Sequence, residues 1–335
     1  MIKKPPDVRA FVKPSFYYTK KPFQSASLEE NTIGIEIENE TKTETVFPSV
    51  RNWSRVPEHS LRYYGFEYVS KPIPIQKAGY ELDKLFGALS EIKLTNSPRT
   101  STHIHFDVGR MSFLQILNFA MTYWMMEPYL EPFVGRFRSG NHFCLRVKDT
   151  SFTIHSLLCG IQALDPYSSS IFSDQQRYSS VNFASIMKLG TLEFRLMRGV
   201  DTAAPVVQWI NYLENIKKFS LKFKDPKEWG DHVINLPFSS LPHVILGSQQ
   251  YPVNVSDLRE TFGRLYELCI ALPSFDFTDE IKAIEEQEQR EKEEQERIRK
   301  MYIYISSIES TPITTEDYPE PDGQDDEYVN LGDDV

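Results

Sequence analysis

Three short segments alternate apolar and charged residues with a period of two, and this constrains the fold more than any other feature. In Ile33-Gly34-Ile35-Glu36-Ile37-Glu38 the isoleucines take every second position. Successive side chains of a strand point to opposite faces, so the isoleucines enter a core while Glu36 and Glu38 project together. Two carboxylates on one face repel unless a cation lies between them, and hard divalent metals take oxygen ligands. By itself the I-x-E-x-E pattern equally describes an edge strand with solvated glutamates. In Thr102-His103-Ile104-His105-Phe106-Asp107-Val108, the residues Ile104, Phe106 and Val108 face inward, and His103, His105 and Asp107 share the other face. Paired imidazoles on one strand suit a metal or a phosphate, and two surface histidines are the plain alternative. Gly190-Thr191-Leu192-Glu193-Phe194-Arg195-Leu196 buries Leu192, Phe194 and Leu196 and projects Glu193 with Arg195. A structural ion pair explains that couple equally well. Arg177, Tyr178 and Asn182 stand just upstream, and Arg198 just downstream.

Together the three strands offer three carboxylates, two histidines and several arginines on successive faces. That inventory suits metal-bound polyphosphate, with carboxylates holding Mg²⁺ and guanidiniums neutralising phosphate oxygens. No G-x-x-x-x-G-K-[ST] occurs, which excludes a P-loop.

Charge excludes a nucleic-acid function. Of 335 residues, 37 are Lys or Arg and 47 are Asp or Glu. Ten of the acidic residues lie in Met301–Val335, which has no Lys or Arg, so the body carries 37 of each sign and no basic field. A hydrophobic content of 40%, with 13% aromatics, supports a sizeable core and excludes global disorder. Cys144, Cys159 and Cys269 form no C-x-x-C and fit a reducing compartment. The Met1–Pro6 segment leads into no apolar run, so a cytoplasmic protein without a secretory signal is expected. Phe113–Met126 is broken by Gln115, Asn118 and Thr122 and is shorter than the roughly 20 residues of a membrane span, so it reads as a buried helix.

Four regions are expected. Residues 1–30 form a Lys- and Pro-bearing arm, and 31–277 a catalytic domain of strands and amphipathic helices without a long linker. Within it, Leu82, Leu85, Phe86 and Leu89 mark a helix over Tyr80–Ile92. A second helix opens near Pro205, capped by Thr202 or Asp201, with Val206, Ile210, Leu213 and Ile216 on one face. Residues 278–300 form a solvated charged helix held by i,i+4 pairs. Residues 301–335 form an acidic disordered tail suited to docking a basic partner.

The motifs in series resemble those of the amidoligases, in the glutamine synthetase/glutamate–cysteine ligase superfamily of carboxylate–amine ligases. The opening is Gly34-Ile35-Glu36-Ile37-Glu38, then Glu58-His59-Ser60-Leu61 and Gly65-Phe66-Glu67-Tyr68-Val69-Ser70. Ser101 to Asp107 is similar to the family's H-x-H strand, and Arg138, Asn141 and Cys144 to its R-x-x-N-x-x-C segment. Arg177-Tyr178-Ser179-Ser180-Val181-Asn182 and Gly190 to Arg195 resemble its R-Y-x-x-x-N…G-T-x-E-F-R block. The resemblance spans Ile33 to Asp201. Glu58 departs from it, standing where the family often has Asp.

The resemblance implies an α+β fold, a glutamine synthetase-like curved antiparallel sheet (a half-barrel) with helices on its outer face. It implies ATP and Mg²⁺, and a substrate carboxylate phosphorylated to an acyl phosphate that an amine attacks. The product is an amide or isopeptide bond, and the substrates include peptide or protein side chains. Glu36, Glu38, Glu67, His103 and Glu193 are the implied metal ligands. Arg138, Arg177, Asn182, His105 and Arg198 are implied to hold the cofactor, and Glu67, Arg177 and Arg195 to serve catalysis. Two other classes stand beside this one: a zinc hydrolase built on His103, His105 and Asp107, and a non-catalytic ligase-like docking component.

Overall fold

The computed structural model describes residues 31–109, 111, 113–150, 152–157, 177–224, 226–247 and 253–271, together with 286, 289, 290 and 292–303. The chain divides into two compact units, 1–284 and 285–335. The expected N-terminal arm and the stretch beyond 303 lie outside the described residues.

Unit 1 is a mixed α/β structure around an open sheet of seven strands. These are β1 (Thr32–Thr41), β2 (Trp53–Val56), β3 (Tyr64–Ser70), β4 (Ile73–Pro74), β5 (Ser101–Asp107), β6 (Val181–Asn182) and β7 (Thr191–Arg198). Their order is β2-β3-β1-β5-β7-β6, with β4 added to β1, and every pairing is antiparallel. β1 runs through the middle, and its pattern explains why. Ile33, Ile35 and Ile37 are at most 1% exposed on one face, leaving Glu36, Glu38 and Glu40 on the other.

That apolar face is covered by helices α1 (Ala78–Ala88), α2 (Phe113–Val134) and α4 (Ala203–Ser220), α3 (Ala184–Leu189) leads into β7, and α5 (Pro226–Ile234) and α6 (Val255–Ala271) pack on α2 from outside. α2 is apolar nearly all round, as a helix sandwiched between a sheet and other helices must be. It runs eight residues beyond the Phe113–Met126 stretch and takes in Pro128 and Pro132. Its polar interruptions have partners: Asn118 Nδ2 donates to the Phe223 carbonyl at 2.9 Å, and Thr122 Oγ1 accepts from Trp229 Nε1 at 2.8 Å. Aromatic rings continue the contact across three layers. Phe106 and Phe194 of the sheet meet Phe119, Phe194 also meets Tyr123 of α2, and Tyr123 and Phe133 meet Trp209 of α4. α4 begins two residues before Pro205 with Thr202 as its cap residue, and buries Val206, Ile210, Leu213 and Ile216. No helix among the described residues is long and apolar enough to cross a membrane.

In unit 2, residues 292–303 are helical and exposed. Arg297 pairs with Glu294 and Lys300 with Glu296. Such pairs contribute only a few tenths of a kcal/mol each, which suits a solvated helix.

Candidate active site

The charged side chains of β3, β1, β5, β7 and β6 meet because of register. Glu38 lies opposite Glu67, Glu36 opposite His103, His105 opposite Glu193, and Asn182 opposite Glu193. Residues directly opposite in an antiparallel pair sit about 4.5–5.5 Å apart, so the register alone lays these groups side by side on the face away from the helices. Gly34 faces His105 across the same ladder, and a Cβ there would lie 3.4 Å from His105 Cβ.

Glu36 holds both imidazoles. His103 Nδ1 is 2.9 Å from its Oε2, and His105 Nε2 is 3.1 Å from its Oε1. The other nitrogen of His105 is 2.9 Å from Thr191 Oγ1, and that of His103 is 2.8 Å from Ser101 Oγ, which donates to Glu38. Glu193 lies 3.5 Å from His103 Nδ1 and accepts from Asn182 Nδ2 at 2.6 Å and from Arg195. Two trios of ligand atoms result, Glu36–His103–Glu193 and Glu38–Glu67–His103, with the atoms of each trio within 4.8 Å of one another. Two carboxylates and an imidazole per trio form a donor set suited to Mg²⁺ or Mn²⁺.

The electrostatics follow from burial and mixed sign. Burial pushes the Glu36 carboxyl up, but the His105 charge and hydrogen bonds from both imidazoles outweigh it and hold it well below the usual carboxylate range. Burial likewise opposes the charge of Glu193, yet Arg195 and His105 hold its carboxyl low. The imidazole of His105 is held high by Glu36 and Glu193 against the effect of burial. At Glu67 nothing offsets burial: burial, then the charges of Glu36 and Glu38, push its carboxyl up to about 9. One acid of the five-residue ligand set therefore keeps its proton at neutral pH until a cation arrives.

The structure brings Glu36, Glu38, Glu67, His103, His105, Asn182, Glu193 and Arg195 together. Three other arginines lie elsewhere. Arg138 is 1% exposed, and its guanidinium donates to the carbonyls of Arg195 at 2.6 Å and Leu196 at 3.2 Å. It braces β7 along its main chain, with these hydrogen bonds given to carbonyls, and Cys144 Sγ lies 3.8 Å from its own carbonyl. Arg198 donates to the Phe133 carbonyl at the end of α2. Arg177 is exposed, and its guanidinium donates to the Tyr178 hydroxyl at 2.7 Å. Asp107 turns its carboxylate to the Gly109 amide at 2.9 Å, and Glu58 takes the Ser60 amide at 2.7 Å. Two residues were given no role from sequence, Ser101 and Thr191, which orient Glu38 and His105. The signal for both was strand parity: 101 shares the face of 103 and 105, and 191 that of 193 and 195.

Comparison with known proteins agrees with this surface. Residues 20–217 match the family described as "Putative amidoligase enzyme". No curated protein matches the chain. The match runs from ahead of β1 into α4 and so includes every strand whose register assembles the charged face; the chain belongs to this amidoligase family.

Proposed function

We propose that the protein is an ATP- and Mg²⁺-dependent carboxylate–amine ligase of the cytoplasm that forms an amide or isopeptide bond through an acyl phosphate. One observation carries the reading: two trios of ligands, sharing His103, stand on one sheet face with the Arg195 guanidinium beside them. In the same reading, the open antiparallel sheet with helices on one face is the half-barrel of glutamine synthetase-like ligases.

Glu36 and Glu193 would hold one divalent ion and Glu38 and Glu67 the neighbouring one, and His103, whose neutral imidazole has a single lone pair to offer, would complete one of the two. Bound Mg²⁺ would supply the positive charge that lets a carboxylate and a triphosphate approach each other. Arg195 adds a fixed cation at the same place, oriented by Glu193 and ready for phosphate oxygens. Glu36 positions His105, which in this reading would contact phosphate. The carboxylate oxygen attacks the γ-phosphorus with release of ADP; the amine nitrogen then attacks the acyl carbon, and phosphate leaves. Glu67, at the outer strand of the cluster, would hold its ion through one carboxylate oxygen and leave the other to accept the amine's proton in that second step. The substrates are a carboxylate and an amine, with peptide or protein side chains among the carriers of either.

The test is release of phosphate from ATP in the presence of Mg²⁺, with stimulation by a carboxylate and an amine together. Turnover without ATP, as a hydrolase would show, or none with any carboxylate–amine pair, overturns the reading.

A further inference from the structure

A cavity of about 340 Å³ opens where three loops meet: the turn before β3, the turn before β5 and the segment that follows α2. Arg62, Arg99 and His142 line it, with Asn141 and the rings of Phe137 and Phe143. No carboxylate is among its lining residues, although the adjoining face is strongly acidic. The loops are tied to one another. Arg99 Nη1 donates to the Ser60 carbonyl at 2.6 Å, and Asn141 Nδ2 to the Pro98 carbonyl at 2.7 Å. The Arg99 guanidinium is therefore held in place, and the three loops are linked to one another.

The cavity adjoins the metal-ligand face at a definite point. The Arg62 amide donates to Glu40 Oε1 at 2.7 Å, and Glu40 lies two residues beyond Glu38 on the same face of β1. Arg99 stands two residues before Ser101, whose hydroxyl donates to Glu38. Glu38 to Glu40 spans roughly 7 Å of extended β1, so the pocket, which Arg62 enters beside Glu40, begins about one strand repeat from the Glu38 end of the cluster.

We propose that this pocket holds a second carboxylate of the acyl substrate, and that the substrate is an acidic peptide. This rests on the ligase reading above. The reacting carboxylate lies at the ligand trios, and a second one, roughly 7–14 Å away, meets Arg62 and Arg99. A peptide of two to four residues covers that distance. Phe137 and Phe143 contact its aliphatic stems, and Asn141 its main chain. An uncharged substrate would leave two guanidiniums without a counter-ion beside the site, which is a basis for selection.

Calorimetric titration of the full chain in the presence of Mg²⁺, with tri-glutamate and with tri-glutamine, tests this. Tri-glutamate should bind at least about tenfold more tightly than tri-glutamine, and added salt should weaken it. Arg62→Gln, at an exposed position, should lose about tenfold in affinity and Arg62→Gln/Arg99→Gln more, while Arg99→Lys retains most of it. Binding of Mg²⁺ with a non-hydrolysable ATP analogue should stay within about twofold in all three variants. The proposal is overturned if tri-glutamate does not bind, if Arg62→Gln binds it as the parent does, or if the ATP analogue is what the variants lose. If tri-glutamate binds with the expected arginine dependence yet never stimulates phosphate release, the pocket stands and the ligase reading fails.

Discussion

Glu38 and Glu67 lie opposite each other, and burial, with the charges of Glu36 and Glu38, pushes the Glu67 carboxyl up to about 9. Two expectations follow at the scale of single residues. Glu38→Gln removes one negative charge with almost no change in volume, so it should abolish ATP turnover. Its melting temperature should match the parent's or rise slightly, because repulsion between Glu38 and Glu36 on the same strand face is relieved. A variant that turns over ATP normally would remove Glu38 from the site. The second concerns protons. Glu67 keeps its proton up to about pH 9 in the metal-free protein, and a cation between it and Glu38 must displace that proton. Mg²⁺ binding at pH 8 should release close to one proton, read as a dependence of the calorimetric heat on buffer ionisation enthalpy. Glu67→Gln should abolish that release.

Elements depend on groups buried between them. Glu127 of α2 accepts the Val147 amide at 2.9 Å and a bond from the Ser180 hydroxyl, so it ties the helix to the 145–150 loop and the segment entering β6. Burial raises its carboxyl to about 8, from an ordinary 4.5. The unfolded chain releases this proton near pH 4.5 and the folded chain only near 8. The folded state therefore binds more protons between these values, and stability should fall as pH rises through that window. Glu127→Gln should flatten the dependence, and its advantage in melting temperature should grow from pH 5 to pH 8. An equal slope in both proteins would mean that Glu127 is ionised in the fold. Trp209, fully buried between α2 and the rest of α4, is the corresponding test of packing. Trp209→Ala should cost about 3–5 kcal/mol in denaturant unfolding, because the cavity cannot collapse between a sheet-backed helix and its neighbour.

At the scale of the whole molecule, the two units separate at Ile284 and Glu285. The sheet, the ligand trios and the cationic pocket all belong to the first. The second carries the acidic run Met301–Val335, whose composition cannot offset about 1–2 kcal/mol per residue of backbone ordering entropy. Removing residues 285–335 should therefore leave Mg²⁺-dependent ATP binding and the melting temperature of the remainder unchanged. Limited proteolysis of the full chain should cut first within 304–335. Loss of ATP binding on truncation would show that the acidic segment contributes to the site.

Local chemistry in the sequence was enough to identify three of the seven strands, β1, β5 and β7, and what they offer. Alternation with period two put Glu36 and Glu38, His103 and His105, and Glu193 and Arg195 each on the polar side of a strand, because side-chain direction there is a property of the backbone alone. Helical spacing of Leu82, Leu85 and Phe86 did the same for α1. Register was beyond its reach, since which residue of β1 lies opposite which residue of β5 depends on how sheet and helices pack as a whole. The tertiary structure thus decided that Glu36, not Glu38, bridges the two histidines, and that Glu67 faces Glu38 without a cation. It also separated arginines that are alike in sequence. Arg195 pairs with Glu193 on the charged face, whereas Arg138, buried beside β7, gives its hydrogen bonds to the carbonyls of Arg195 and Leu196. A guanidinium's role is set by which acceptors surround it, and those acceptors come from segments 57 and 58 residues away in the chain.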